Sequence, residues 1–226
     1  MHPELEKILN ICAKLQFQVN LTTNGTLLKE RLPILKKAAA LRQINVSLHS
    51  FSQQEGIDTN AYLKDCLEVG EQLCDHVYIS YRLWNKQSGI LDEDTMELVS
   101  DINDRYSTKI APQGILGSDK YTLKQNMFLN FEEVFTWPSL KSPIQAEPAR
   151  CLGWKNMCAV LVNGDVVPCC LDGNGACVLG NLTKQSFSEI IEGEMGKKIL
   201  DGWKQGKAVM TLCQRCSYRL RFQPNK

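Results

Sequence analysis

"CLGWKNMCAVLVNGDVVPCC", residues 151–170, places four cysteines in twenty positions, and Cys169 and Cys170 are adjacent. The 226-residue chain has ten cysteines. Seven of them (Cys151, Cys158, Cys169, Cys170, Cys177, Cys213 and Cys216) fall within its last 76 residues. The first residues, "MHPELEKILN", lack the basic-then-apolar order of a secretory leader. The sequence therefore reads as cytoplasmic, where thiols stay reduced and such a cluster points to metal binding or catalysis rather than to a disulfide frame. Cys12, Cys66 and Cys74 sit in helical stretches and read as small buried hydrophobes.

Within the quoted stretch, Asn163-Gly164 separates "CAVLV" from "DVVPCC", and Asn-Gly between β-branched runs is a strong hairpin signal. With these two residues as the turn, Val162 faces Asp165, Val160 faces Val167 and Cys158 faces Cys169. Cys151 lies just before the first strand, so the hairpin presents two or three sulfurs together. "CQRC" adds Cys213 and Cys216 on a turn. Cys151, Cys169, Cys213 and Cys216 then form a set of two ligands, a 43-residue excursion and a C-x-x-C pair. Residues 186–206, "SFSEIIEGEMGKKILDGWKQG", read as helical. Four thiolates hold either Zn²⁺ or an iron–sulfur cluster, and spacing alone does not choose. A redox dithiol at Cys213–Cys216 fits poorly, because "CQRC" does not join a strand to a helix in a thioredoxin-like pattern.

Upstream, apolar positions at Leu5, Ile8, Leu9, Cys12 and Leu15 mark a helix over residues 3–16. Strands are predicted at 17–23, 44–50 and 77–84, with a further one at 108–114. Helices are predicted at 27–41 (bent near Pro33), 60–73 and 92–106. Strands alternating with helices imply βα units on a parallel sheet. Residues 113–150 carry Pro138, Pro143 and Pro148 and read as a loop-rich connector. The division predicted is an α/β unit over 1–140 and a cysteine-rich module over 141–226. Net charge is +1, with no basic cluster that would suit nucleic acid, and no apolar run is long enough to span a bilayer.

The cysteine module resembles the C-terminal SPASM or SPASM-like domain of radical SAM enzymes. The shared features are Gly164-x4-Cys169 within "NGDVVPCC", the closing C-x-x-C, and "LGNL" (179–182) followed by "SFSEIIEG". "LTTNG" (21–25) and "VSLHS" (46–50) resemble two strand ends of the radical SAM core. The resemblance implies a truncated radical SAM partial barrel followed by a small hairpin and helix module. It implies an auxiliary [4Fe–4S] cluster on Cys151, Cys169, Cys213 and Cys216, with Cys158 and Cys170 as adjacent alternates. It also implies S-adenosyl-L-methionine (SAM) contacts at Ser47, Thr23 and Arg82, and a flavodoxin or ferredoxin electron donor. His49 stands where the family often has Asp.

One family motif is missing. No C-x-x-x-C-x-x-C occurs in the 226 residues, and "HPELEKIL" resembles the segment immediately after the GGEP motif in that family. The expectation is a chain that begins inside such a core and does not cleave SAM by itself. The parent activity implied is reductive SAM cleavage and hydrogen abstraction, an oxidoreductase or maturase chemistry on a peptide, protein or small molecule. A zinc-binding structural module without catalysis is the alternative.

Overall fold

The computed structural model describes residues 2–53, 56, 58–111, 119–134 and 136–222. The chain divides into two compact units, Met1–Val134 and Phe135–Lys226.

In the first unit, α1 (Leu5–Lys14), β1 (Val19–Thr23), α2 (Leu28–Leu35), β2 (Leu41–Ser47), α3 (Thr59–Leu73), β3 (Tyr78–Lys86) and α4 (Glu93–Tyr106) alternate as the periodicity predicts. Local chemistry sets the helix ends. Asp58 Oδ1 accepts from the Asn60 and Ala61 amides at 3.0 and 3.1 Å and starts α3. Asp92 accepts from the Thr95 amide at 2.8 Å, and Glu93 and Asp94 complement the dipole at the start of α4. Pro33 lies inside α2, which stops two residues later instead of running to residue 41. β2 spans Leu41–Ser47, and Leu48–Ser50, predicted as the end of the strand, instead open a 3-10 turn that runs to Gln53. Thr108–Ala111 is not strand, and the rest of that predicted element, 112–114, lies outside the described residues.

The connector reading of 113–150 is corrected by two further strands, β4 (Asp119–Lys124) and β5 (Met127–Glu133). They turn at Gln125-Asn126, where Asn126 takes φ 59°, a conformation asparagine tolerates. Alternation at Tyr121 and Leu123, then Met127, Leu129 and Phe131, was the signal, and the prolines beyond it obscured it. The sheet order is β1-β2-β3-β5-β4, parallel from β1 to β5 with β4 antiparallel at the edge.

Side-chain parity divides this sheet into two unlike faces. Ile44, Val46, Ile79, Tyr81, Leu83, Met127, Leu129 and Phe131 join one core with helix residues Leu9, Leu35, Leu67 and Val99. The intervening residues point to the other face; they are mostly polar (Asn20, Thr22, Gln43, Asn45, Ser47, Ser80, Arg82 and Asn130), with the aromatics Tyr78, Trp84 and Phe128 among them. A parallel sheet is ordinarily apolar on both faces. A polar second face marks a surface that meets water or a ligand.

In the second unit, β6 (Ala159–Val160), β7 (Asp165–Val167) and β8 (Gly180–Asn181) form an antiparallel sheet. The helices are α5 (Phe187–Glu192), α6 (Glu194–Lys204) and α7 (Thr211–Gln214). A capping box joins Ser186 and Glu189 at the start of α5. Gly193, with ψ 153°, breaks the single helix predicted for 186–206. The hairpin register is also corrected. Ala159 pairs with Val167 and Val160 with Val166, one residue away from the predicted pairing. The Gly164 amide bonds to Leu161 O at 2.9 Å, and the Leu161 amide to Asp165 O at 2.8 Å. Asn-Gly thus ends a three-residue loop, with Gly164 at φ 87°, in place of a two-residue turn.

Candidate metal centre and polar sheet face

The hairpin and the C-x-x-C turn gather thiols within the second unit. A Cβ on Gly153 would lie 3.5 Å from both Cys151 Sγ and Cys169 Cβ, so these two cysteines flank that glycine. The Gly153 amide donates to Cys151 Sγ at 3.3 Å. The Trp154 amide bonds to Pro168 O at 2.9 Å, and Trp203 Nε1 donates to Gly153 O at 2.9 Å. These bonds tie the 151–154 segment to the end of β7 and to α6. Burial pushes the Cys169 thiol up to about 11, and the neighbouring Cys151, Cys170 and Cys216 add to the rise. Burial also raises Cys216, while its sulfur accepts from the Arg219 and Tyr218 amides. The thiols of Cys151, Cys169 and Cys216 are therefore close enough to feel one another. As the side chains lie, no three metal-binding groups among the described residues stand within reach of one ion.

The fifth cysteine here is one the sequence reading did not assign. Cys177 is 3% exposed, and its sulfur meets that of Cys213. Hydrogen bonds from Cys213 and from the Leu212 and Cys213 amides draw the Cys177 thiol below its ordinary value, while Cys213 is pushed up by Cys177 and by burial. The buried Asp172 carboxylate accepts from the Ala176 and Cys177 amides at 2.7 and 2.8 Å and fixes the loop that carries Cys177. Its signal in the sequence was "LDGNGAC" (171–177), a turn-rich run ending on a cysteine. Cys158 is half-buried and Cys170 exposed.

Arg219, just past the C-x-x-C, is 1% exposed. Its Nε donates to Cys213 O at 3.1 Å and its Nη2 to Gln145 O at 2.9 Å. Its Nη1 is buried and has no partner among the described residues. A thiol-only donor set beside inward-directed amides and a buried cation suits an anionic, sulfur-ligated group. The residues fit an iron–sulfur cluster.

Residues 151–217 match the SPASM iron–sulfur cluster-binding domain. SPASM domains bind iron–sulfur clusters. The chain's fold is also similar to that of BtrN, solved in complex with AdoMet and 2-DOIA. That likeness has a TM-score of 0.50 at 17% identity and covers 96% of this chain and 80% of that one. Selenomethionine BtrN in an open conformation aligns over the same shares with a TM-score of 0.45 and 15% identity. No curated protein sequence matches the chain. The SPASM match, and an α/β unit with a mostly parallel sheet followed by a cysteine-rich module, are what the sequence resemblance implied.

In the first unit, Ser47 and Arg82 are register partners on the polar face. Thr23 has the parity of the helix-covered face, and its Oγ1 accepts from the Gly25 amide at 3.1 Å. Thr22 is the residue that turns to the polar face, where its Oγ1 meets Asn45 Nδ2 at 3.4 Å. The Arg82 guanidinium lies 4.4 Å from the centre of the Trp84 ring. His49 Nδ1 stands 3.0 Å from Arg82 O and 3.3 Å from the Trp84 amide. Burial and the Arg82 charge hold the His49 pKa below its ordinary value. Among the described residues no helix is long and apolar enough to cross a membrane.

Proposed function

We propose that this chain is the cofactor- and substrate-binding part of a radical SAM enzyme, an oxidoreductase or maturase, carrying an auxiliary [4Fe–4S] cluster on Cys151, Cys169, Cys213 and Cys216. The observation that carries the reading is the gathering of these thiols inside the segment that matches the SPASM domain. The hairpin supplies one side of the site and the C-x-x-C turn the other. Backbone amides at Gly153, Tyr218 and Arg219 direct N–H groups at the sulfurs and favour their anionic form.

On the first unit, the polar face is the surface for SAM and substrate, reached from the carboxyl ends of the parallel strands, where open α/β sheets bind ligands. Ser47 offers a hydroxyl there, and Arg82 a cation suited to a carboxylate. Thr23 has its hydroxyl committed to a turn and contributes at most through that turn. SAM held on this face would supply hydrogen abstraction in the whole enzyme, given one electron passed through a catalytic cluster from a flavodoxin- or ferredoxin-type donor. The C-x-x-x-C-x-x-C that would hold such a cluster is not among these 226 residues.

The test is anaerobic reconstitution followed by iron and sulfide analysis and a visible spectrum. Four irons and four sulfides per chain, within about 20%, with a broad absorption near 400 nm, are the expected result. Zinc on four thiolates with no sulfide would replace this reading with a structural module.

A further inference from the structure

The buried guanidinium of Arg219 has no ion-pair partner among the described residues, although it is 1% exposed. A buried charge without a counter-charge costs several kcal/mol in effective terms, and arginine does not lose its proton to avoid this. Two of its nitrogens are fixed by the carbonyls of Cys213 and Gln145, and the third is unspent. Its own amide points at the Cys216 sulfur. The Arg219 charge also acts on the Cys216 sulfur, so the thiolate site lies within reach of this cation.

We infer that Arg219 is the counter-ion of the cluster bound there, a positioning residue that both holds the C-x-x-C turn and favours the more negative, reduced state of the cluster. This rests on the cluster reading above. A four-thiolate cluster carries net negative charge in both redox states, and reduction adds one electron to it. A fixed cation beside it therefore raises the reduction potential. Neutralising Arg219 removes that assistance, whereas lysine keeps the charge and loses the fork that grips two carbonyls.

The experiment compares the full chain with Arg219→Gln and Arg219→Lys after anaerobic reconstitution, by iron content and by redox titration followed by electron paramagnetic resonance. The expected result is retained iron in Arg219→Lys with a potential near the original. Arg219→Gln should shift the reduction equilibrium about tenfold toward the oxidised state, about 59 mV for one electron. Equal potentials in all three chains, or an equal fall in both variants, would overturn the counter-ion role. Should Arg219→Gln fail to hold its cluster, denaturant unfolding of the metal-free chains decides. Arg219→Met should then be more stable than Arg219→Lys, because both lose the grip on the Cys213 and Gln145 carbonyls and only lysine keeps the uncompensated charge. A metal-free Arg219→Met less stable than Arg219→Lys would overturn the inference. No cluster in the unsubstituted chain would instead defeat the cluster reading, and this inference with it.

Discussion

His49 Nδ1 stands 3.0 Å from the carbonyl oxygen of Arg82, joining the turn after β2 to the middle of β3. The Trp84 amide approaches the same nitrogen at 3.3 Å. Burial and the nearby Arg82 cation both disfavour a charged imidazole, so its folded pKa is lowered. A lowered folded pKa means that the unfolded chain binds the extra proton first. Stability is then complete above the unfolded value of about 6.5 and is lost as pH falls toward the folded value. Replacing His49 with Asn should flatten stability against pH below about 6.5, measured by denaturant unfolding across that range. An unchanged slope would show that another group carries it.

β5 lies between β3 and β4, and Phe131 is fully buried on its core face. Phe131→Ala should destabilise the first unit by about 3–5 kcal/mol, read from unfolding midpoints. A change below about 1 kcal/mol would return residues 127–133 to the status of a connector.

Gly164 takes φ 87°, and a Cβ there would meet Asn181 Oδ1 and Thr183 Cγ2 at 3.1 Å. Gly164→Ala should therefore cost about 1–3 kcal/mol through strain at a left-handed position. Hydrogen exchange at Asp165 and Val166 should rise before exchange in β2 or β3 does.

The apolar core cluster of the second unit rests on four buried side chains, Trp154, Val166, Ile190 and Ile199, with Val167, Ala208 and Leu212 buried beside the loops. A core that small leaves much of the unit's stability to its bound group. Chelating the iron should loosen residues 150–217 and leave the βα elements protected in hydrogen exchange. Uniform loss of protection would argue against a cluster that staples one unit.

The 226 residues include no C-x-x-x-C-x-x-C, the motif that leaves one iron open to SAM in the resembled family. The four proposed ligands, Cys151, Cys169, Cys213 and Cys216, would close every iron of a single cluster. With SAM and dithionite, this chain should yield no 5′-deoxyadenosine above a protein-free control. Turnover would mean that its carboxy-terminal cysteines hold an open cluster.

The sequence alone determined the elements whose causes are local. Apolar stripes, Asp58 and Asp92 at helix starts and the β-branched runs set α1, α3, α4 and most of β1 to β3, because period and capping act within a few residues. It also determined the cysteine inventory and the SPASM pattern, since ligand spacing is itself a sequence property. Tertiary structure decided the rest. β5 became a central strand because burial against β3 outweighed the loop signals beside it. The hairpin moved by one residue because Gly164 closes a three-residue loop whose Asn163 Oδ1 accepts from the Asp165 amide. Cys177 met Cys213, and Arg219 came to rest under the C-x-x-C, through contacts between residues far apart in the chain or brought together by a turn. No local pattern encodes these contacts, because they form only when the packed unit brings the groups together.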